Sequence, residues 1–278
     1  MRSPAALLLL FLAYGHAQTP AKLSFEVASI KLNTTDSDTS SNIPLGNGDV
    51  YHPTGGRFSA RDFPISLYLQ FAYKLPKGET DRILAKLPAW VGTERFDIEA
   101  RATGEPTKDQ MREMIQSLLA DRCKLTWHYK TRQTPVYAVV LVKPRQTGPN
   151  LRPHPAAATC SADPSDTASD ESGNFPAVCG GIMPMPPTMR GNERRGGRDV
   201  SMDLIVRSLP GITGDFERLM VDHTGLTGKF DFSLEWTQAP DGSDITQALK
   251  TQLGLKLESQ KVATKFMVVD HLERPSVN

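Results

Sequence analysis

An internal repeat is the feature that most constrains how this chain can fold. Three blocks of sequence recur in the same order in the two halves. The matched pairs are 61–67 with 198–204, 93–98 with 227–232, and 115–139 with 245–269. Chance similarity between short motifs is the alternative. Three blocks in one order, with the same apolar spacing, favour two similar units that each fold by the same pattern.

The spacing of apolar residues predicts the elements of each unit. In the first unit it predicts a short strand at 59–62, helices at 65–73 and 109–122 with Thr107 as N-cap, and strands at 96–100, 123–129 and 136–142. A hairpin turn is expected at 130–135. In the second unit it predicts helices at 201–209 and 245–252, and strands at 230–236, 253–259 and 264–272. The expected fold class is therefore α+β, with two similar β-α-β-β-α-β-β lobes.

Two segments lie outside the repeats. Residues 18–58 contain an alternating strand followed by a polar loop, and residues 145–197 are rich in Pro, Gly, Ala and Ser. The second segment has no sustained apolar period, so we expect a long disordered insertion. The expected domain organisation is a signal peptide at 1–17, the strand and loop at 18–58, a first lobe at 59–144, the insertion at 145–197, and a second lobe at 198–278.

The first 17 residues have the pattern of a secretory signal peptide. Arg2 provides a positive charge, Ala5 to Tyr14 form an apolar run, and Gly15-His16-Ala17 is a small-x-small cleavage site. The alternative, a membrane anchor, needs about 20 apolar residues. The sequence therefore predicts an exported protein, periplasmic or extracellular, with no membrane span after cleavage.

The composition of the chain excludes several functional classes. A net charge of +1 argues against a dedicated nucleic-acid binder, which needs a basic surface. A mean hydropathy of −0.34 excludes a multi-pass membrane protein, and 3 Cys are too few for a disulfide scaffold. Residues 18–144 carry 17 Lys and Arg against 14 Asp and Glu, whereas residues 198–278 carry 9 against 12. This opposite bias favours docking of one lobe on the other.

The three cysteines call for different interpretations. Cys160 and Cys179 flank a polar loop, and export favours a disulfide between them, with two free thiols as the alternative. Their spacing fits no zinc motif. Cys123 occupies a position where an apolar residue is expected, so we interpret it as a small buried hydrophobe rather than a catalytic thiol.

Two Asp-His pairs are the strongest candidates for catalytic residues. Asp222-His223 and Asp270-His271 invite an acid–base interpretation. A catalytic triad also needs a converging nucleophile, and the chain has no G-x-S-x-G elbow. We therefore interpret Asp222 to Gly225 as a turn in which Asp and Thr side chains bind backbone amides and Gly225 has positive φ. No catalytic residue is assigned.

No motif in the chain calls for a cofactor or a metal. The histidines lack H-x-H and H-E-x-x-H spacing. Met183, Met185 and Met189 would suit a soft metal such as Cu(I), but a flexible loop that contains methionine is the simpler interpretation. Trp90 and Tyr73 would stack on a sugar or peptide, and core packing is the simpler interpretation for them as well.

Several motifs resemble a known family. They are 25–31 (FEVASIK), 87–90 (LPAW) followed by 95–98 (RFDI), 221–232 (VDHTGLTGKFDF), 252–257 (QLGLKL) and 269–276 (VDHLERPS). This set resembles an acidobacterial paralogous family of exported proteins that carry a domain of unknown function. Relatives of that domain are also joined to BlaR-type membrane metallopeptidase sensors. The resemblance implies no reaction. The repeat unit is also similar to the short N-terminal domains of secretins and TonB-dependent transducers, which are protein-interaction modules.

These observations favour an exported, non-enzymatic binding or sensing module of the cell envelope. An unknown envelope protein or peptide would meet the sheet edges or the insertion, by addition of a strand. One alternative is a hydrolase with a site between the lobes, and the other is a structural protein of the envelope. Convergence of Asp222, His223, His271 and a nucleophile in one cleft would favour the hydrolase.

Overall fold

The computed structural model shows an α+β chain in which a long ribbon joins two four-stranded sheets. It describes residues 22–276 except 36–37, 162, 164–165, 167, 171, 214–217 and 238–242. The expected signal peptide at 1–17 lies outside the described residues. No helix within the described part of the chain is long and apolar enough to cross a membrane.

The first half of the chain contains strands on both sides of a run of helices. In chain order the elements are β1 (Val27–Leu32), β2 (Ser40–Ser41), β3 (Arg57–Pro64), α1 (Ile65–Tyr73), α2 (Lys77–Leu84), α3 (Trp90–Thr93), β4 (Arg95–Arg101), α4 (Lys108–Arg122) and β5 (Thr126–Leu141). Helix α4 begins at the predicted N-cap: the Thr107 hydroxyl accepts from the Gln110 amide, and the Gln110 side chain accepts from the Thr107 amide. This reciprocal cap stabilises the helix start by about 1 kcal/mol.

The first sheet has the antiparallel order β1-β4-β3-β2. Its register shifts at Arg61 and Asp62, which together lie opposite Asp97. Asp62 has a φ of 60°, and its amide donates to Asp97 Oδ1 at 2.9 Å. The buried face carries residues such as Phe58 and Ile98, which form one core with α1 and α4.

The second half repeats much of this order of elements. It contains β6 (Leu151–Pro153), β7 (Ile182–Pro184), β8 (Asn192–Ser201), α5 (Met202–Thr213), β9 (Met220–Asp222), β10 (Lys229–Thr237), α6 (Ser243–Ala248) and β11 (Leu255–His271). A single π-helical turn over Leu249–Leu253 connects α6 to β11.

The second sheet has the antiparallel order β6-β10-β8-β7. Its register shifts where Arg198 and Asp199 lie opposite Asp231. Asp199 has a φ of 51°, and its amide donates to Asp231 Oδ1 at 3.2 Å. The two sheets therefore share an Arg-Asp bulge that an aspartate on the neighbouring strand holds in place. A second core, separate from the first, lies under this sheet and contains Phe232 and Trp236.

The ribbon corrects the predicted hairpins. Residues 126–141 form one strand, and residues 255–271 form another, so neither unit turns back at its polar stretch. Instead β5 and β11 pair with each other along their whole lengths, from Leu141 with Leu255 to Thr126 with His271. The polar run at 128–133 is exposed to solvent on both faces where the ribbon lies between the two cores. Its composition reflects this exposure and not a chain reversal.

The described part of 145–197 is ordered, so the expectation of a disordered insertion is wrong there. Strands β6 and β7 occupy the two edges of the second sheet. Phe175 and Val178 are buried, and Cys160 and Cys179 form the expected disulfide. The segment has no apolar period of its own because its short strands take their hydrogen-bond partners and their core from β8 and β10.

Candidate functional site

Asp222 and His223 lie in a tight turn after β9. Asp222 Oδ1 accepts from the Thr224 amide at 2.9 Å and from the Thr224 hydroxyl at 2.7 Å. Thr224 Oγ1 accepts from the Leu226 amide at 3.2 Å, and Gly225 has a φ of 70°. The Asp222 carboxylate is therefore engaged in backbone geometry, as the interpretation of this segment as a turn requires.

Asp270 and His271 lie at the opposite end of the ribbon. Asp270 binds His128 Nδ1 at 2.9 Å, and His271 Nε2 lies 2.7 Å from Glu273. Asp222 pairs with Val139 of β5, whereas His271 pairs with Thr126. Thirteen residues of strand separate these two positions, which is about 40 Å at roughly 3.3 Å per residue. The two Asp-His pairs do not converge.

A cavity of about 740 Å³ lies between the two halves of the chain. Helix α2 and the segment before it form one wall, α5 forms the facing wall, and β9 and β11 contribute the remaining surface. This volume falls in the range of small-molecule sites, which is roughly 300 to 1,000 Å³. The cavity is the candidate functional site.

Helix α2 is fixed beside the cavity by a side-chain bond to the ribbon. Glu79 Oε1 accepts from the Met267 amide at 2.9 Å, which satisfies an outward-facing donor of β11. Arg82 lies over the Phe266 ring at 5.1 Å. On the opposite wall, Pro210 lies within α5 and has no amide hydrogen, so the last turn of that helix lacks one helical bond.

A loop of the first half closes one side of the cavity by contacting the second half. Asn47 lines the cavity and donates to the Leu75 carbonyl at 2.9 Å. The next residues approach the second half closely: the Asp49 amide donates to the Gly180 carbonyl at 2.5 Å. A Cβ at Gly48 would lie 2.7 Å from the Gly180 oxygen, so glycine is required for this contact. Asp49 also pairs with Lys229 at 3.5 Å.

Basic side chains outnumber acidic ones around the cavity. The basic residues are Lys77, Arg82, Arg207, Arg218 and Lys265, and the acidic residues are Glu79, Asp203 and Asp222. Two of the three carboxylates already accept backbone amides, as described above for Glu79 and Asp222. Burial lowers the pKa of the Arg82 guanidinium, and the Glu79 charge acts in the opposite direction.

These basic residues come from all parts of the cavity wall. Lys77 and Arg82 belong to α2, Arg207 belongs to α5, and Lys265 belongs to β11. Arg207 contacts Asp203 at 3.5 Å, and Arg218 donates to Ser259 Oγ at 3.0 Å. The cations around the cavity therefore come from both halves and from the ribbon.

Sequence reasoning did not identify this site. Its charged residues lie between positions 77 and 265 and share no motif, so only the packing of α2 against α5 and β11 brings them together. The aromatic candidates have structural contacts: Trp90 is buried, and Tyr73 packs edge-on against Trp127 at 5.1 Å. Burial raises the pKa of Tyr73 to about 12.

The sulfur-containing candidates occupy different environments. Cys123 is fully buried, and this burial raises the pKa of its thiol to about 12. Met185 is buried, whereas Met189 is 67% exposed. A ring nitrogen of His154 lies within 4.8 Å of both sulfur atoms of the Cys160–Cys179 disulfide. His154 therefore joins the two cysteines in a cluster that sequence spacing did not reveal.

The chain was also compared with known proteins. A family model described as a protein of unknown function, DUF3738, matches residues 66–272. Comparisons with curated proteins and with solved structures found no significant match. The matched region includes β4 of the first sheet, both central strands of the second sheet (β8 and β10), the whole ribbon and most of the cavity lining. The chain therefore belongs to the DUF3738 family of proteins of unknown function.

Proposed function

We propose that this protein is a binding module that holds a small organic anion, with an apolar body, in the cavity between its two halves. The observation that carries the proposal is the set of five basic side chains around a cavity of about 740 Å³. A carboxylate or phosphate monoester would offset the excess of basic over acidic side chains around the cavity, which is five against three.

The apolar part of the ligand has its own contact surface. Pro76 and Pro210 lie on the facing walls, and Leu219, Met220 and Val221 line the cavity beside β9. Binding sites for small molecules commonly combine an apolar lining with a few polar groups that set orientation. We infer that the basic residues orient the charged end of the ligand and that the apolar lining residues contact its apolar body.

We infer that the two halves are copies of one ancestral unit. Supporting this inference, the strand order β1-β4-β3-β2 parallels β6-β10-β8-β7. The Arg-Asp bulge and the aspartate that holds it occur in both sheets, at Asp62 with Asp97 and at Asp199 with Asp231. In this arrangement the ligand lies between two equivalent lobes.

We infer that the protein acts outside the cytoplasm, in the cell envelope. The leader at 1–17 supports this inference because it has a charged start, an apolar run and a cleavage site. The Cys160–Cys179 disulfide supports it as well, since such bonds persist in oxidising compartments.

The hydrolase alternative receives less support than the binding module. Asp222 and Ser208 are among the described residues that line the cavity, but that lining contains neither histidine nor cysteine. His271, which would have to complete an acid–base pair, lies about 40 Å along the ribbon from Asp222. No specific geometric observation favours hydrolysis.

The test uses two fluorescent probes that share one apolar body. Dansylglycine carries a carboxylate and dansylamide is neutral, and the emission of both rises when the ring leaves water. We expect dansylglycine to bind the mature chain saturably at one site and dansylamide to bind more weakly. The double variant Arg207→Gln/Lys265→Gln should weaken dansylglycine at least about tenfold, since a charge-assisted hydrogen bond contributes roughly 1.5–3 kcal/mol.

The control variant is Arg61→Gln, which removes one positive charge from an exposed side chain outside the cavity. We expect it to keep the affinity of the wild-type chain. If the double variant bound dansylglycine as tightly as the control, or if the neutral probe bound equally well, the proposed anion site would be wrong.

A further inference from the structure

A buried aspartate orients His154 at the end of β6. Asp231 is fully buried, and its Oδ1 lies 2.6 Å from His154 Nδ1. The other carboxylate oxygen lies 3.7 Å from Arg152 Nε. With Nδ1 bound to the carboxylate, Nε2 is the ring nitrogen that remains for another ligand. Histidines that bind metals are commonly held in this way by a carboxylate on the second nitrogen.

The first half of the chain provides an internal comparison for this arrangement. Asn33 follows β1 as His154 follows β6, and its Nδ2 donates to Asp97 Oδ1 at 2.9 Å. Asparagine therefore satisfies the equivalent carboxylate in the first sheet, which is half-buried where Asp231 is fully buried. A hydrogen bond to the aspartate does not require an imidazole, so the imidazole at position 154 needs another explanation.

Two cysteine sulfurs lie beside the imidazole. A ring nitrogen of His154 and both sulfurs of Cys160 and Cys179 all lie within 4.8 Å of one another. Cys160 is exposed, so a thiolate from solvent can reach its sulfur. Imidazole nitrogen and thiolate sulfur are the ligands that zinc prefers in proteins.

Backbone hydrogen bonds lie close to both cysteines. The Ser161 amide donates to the Ala177 carbonyl at 2.9 Å, which pairs the chain next to each cysteine. Val178 is buried, and the Gly180 amide donates to the Arg198 carbonyl at 2.7 Å. These contacts would hold Cys160 and Cys179 near His154 after the sulfur–sulfur bond is broken.

We propose that the disulfide is reversibly reduced and that the reduced pair, with His154, binds one thiophilic divalent cation of the zinc class. A dithiol reductant supplies the two electrons. Its thiolate attacks the exposed Cys160 sulfur, the sulfur–sulfur bond breaks, and Cys179 leaves as a thiolate. The second thiol of the reductant then attacks the reductant's own sulfur in the mixed disulfide, and Cys160 leaves as a thiolate. The reductant departs as its cyclic disulfide, and its two protons pass to the two cysteine thiolates.

Cation binding follows reduction. The two cysteine thiols give up two protons in total as they bind the cation, so their two negative charges balance its charge. His154 binds through Nε2 while Asp231 holds Nδ1. Three protein ligands leave a fourth tetrahedral position open to water or to a partner's ligand, as in zinc sites that exchange ligands. The reverse exchange, with the oxidised dithiol as the acceptor of the two electrons, re-forms the Cys160–Cys179 bond, and the cation leaves to solvent.

Cobalt(II) is the probe because thiolate–cobalt bonds absorb in the near ultraviolet. The mature chain is reduced with a phosphine, freed of reductant without air, and titrated with Co²⁺. We expect one Co²⁺ per reduced chain, a thiolate charge-transfer band that Zn²⁺ removes by displacement, and no band for the oxidised chain. Absence of the band from the reduced wild-type chain would overturn the proposal.

Variants separate the three ligands from each other and from Cys123. His154→Asn should keep the bond to Asp231, as Asn33 does with Asp97, and should weaken Co²⁺ binding at least about tenfold. Wild-type affinity in His154→Asn would overturn the three-residue site. Cys160→Ser/Cys179→Ser retains Cys123 and should lose the band; a band that persisted there would likewise overturn it. The thermal unfolding midpoint of each variant shows whether it is folded. If His154→Asn does not fold, the single variants Cys160→Ser and Cys179→Ser test the site instead, and each should weaken Co²⁺ binding.

Discussion

Lys108 connects α4 to the loop that contains Gly48, and its ionisable side chain is buried in doing so. Its side chain is buried, and Nζ donates to the Gly48 carbonyl at 2.7 Å. Arg112 donates to the same carbonyl, also at 2.7 Å. Burial, reinforced by the Arg112 charge, lowers the pKa of Lys108 to about 7, although Asp49 and Asp109 act in the opposite direction.

This lowered pKa predicts a pH-dependent stability. Above about pH 7 the folded chain holds Lys108 neutral, whereas the unfolded chain keeps the proton until about pH 10.5. The unfolded state therefore binds more protons in this window, so Lys108 makes the free energy of unfolding rise with pH. The free energy of unfolding of the wild-type chain and of Lys108→Met is measured with urea at pH 6, 7.5 and 9. We expect the wild-type chain to become more stable relative to Lys108→Met as the pH rises.

The control for this measurement is Lys22→Met, which removes a positive charge at an exposed position. A stability difference between the wild-type chain and Lys108→Met that stayed constant from pH 6 to 9 would contradict the prediction.

At the scale of elements, α2 has a second role beside lining the cavity. Strand β11 lies at the edge of its sheet, so its outward amides have no strand to bind. Glu79 of α2 accepts one of them, from Met267, and Arg82 packs over Phe266. A helix that covers an edge strand in this way blocks pairing with another chain at that position.

A pair of substitutions tests this contact. Glu79→Ala removes the acceptor and should destabilise the chain by about 1–2 kcal/mol, because a partly buried amide loses its partner. Hydrogen exchange at the Met267 amide should accelerate. Glu79→Gln keeps an acceptor oxygen at the same position and should retain most of the protection; equal losses in both variants would show that the carboxylate acts by charge and not as an acceptor.

At the scale of the whole molecule, the ribbon makes the two halves interdependent. One end of β5 packs on the first core through Trp127, and the other end lies in the second core through Val139. Strand β11 pairs with β5 along this whole length. Neither half can therefore unfold without exposing one strand of the ribbon.

We expect the two halves to unfold in one transition. Trp90 and Trp127 report on the first core and Trp236 reports on the second. In Trp236→Phe, fluorescence follows the first half, and in Trp90→Phe/Trp127→Phe it follows the second half. Within each variant, the urea midpoint from fluorescence should coincide with the midpoint from circular dichroism. Separate midpoints within one variant would show that the halves unfold independently.

Local patterns predicted the features that depend on near neighbours in sequence. Thr107 and Gln110 are three residues apart, so the cap of α4 could be read directly, and so could the helical spacing of Ile115 and Leu119. The burial of Cys123 and the pairing of Cys160 with Cys179 were also expected. The α+β class and the helices α1 and α4 were predicted for the same reason, whereas α2, α3 and the short strands β2, β6, β7 and β9 were not.

Local pattern alone thus predicted an α+β chain, because apolar period and capping act over a few residues. Only the tertiary structure decided that residues 126–141 run straight to pair with 255–271, that 145–197 supplies edge strands, and that His154 lies beside the disulfide. The cavity between α2 and α5 likewise depends on tertiary packing. These features join residues that are far apart in the chain, and such contacts depend on surfaces that exist only after the elements have packed.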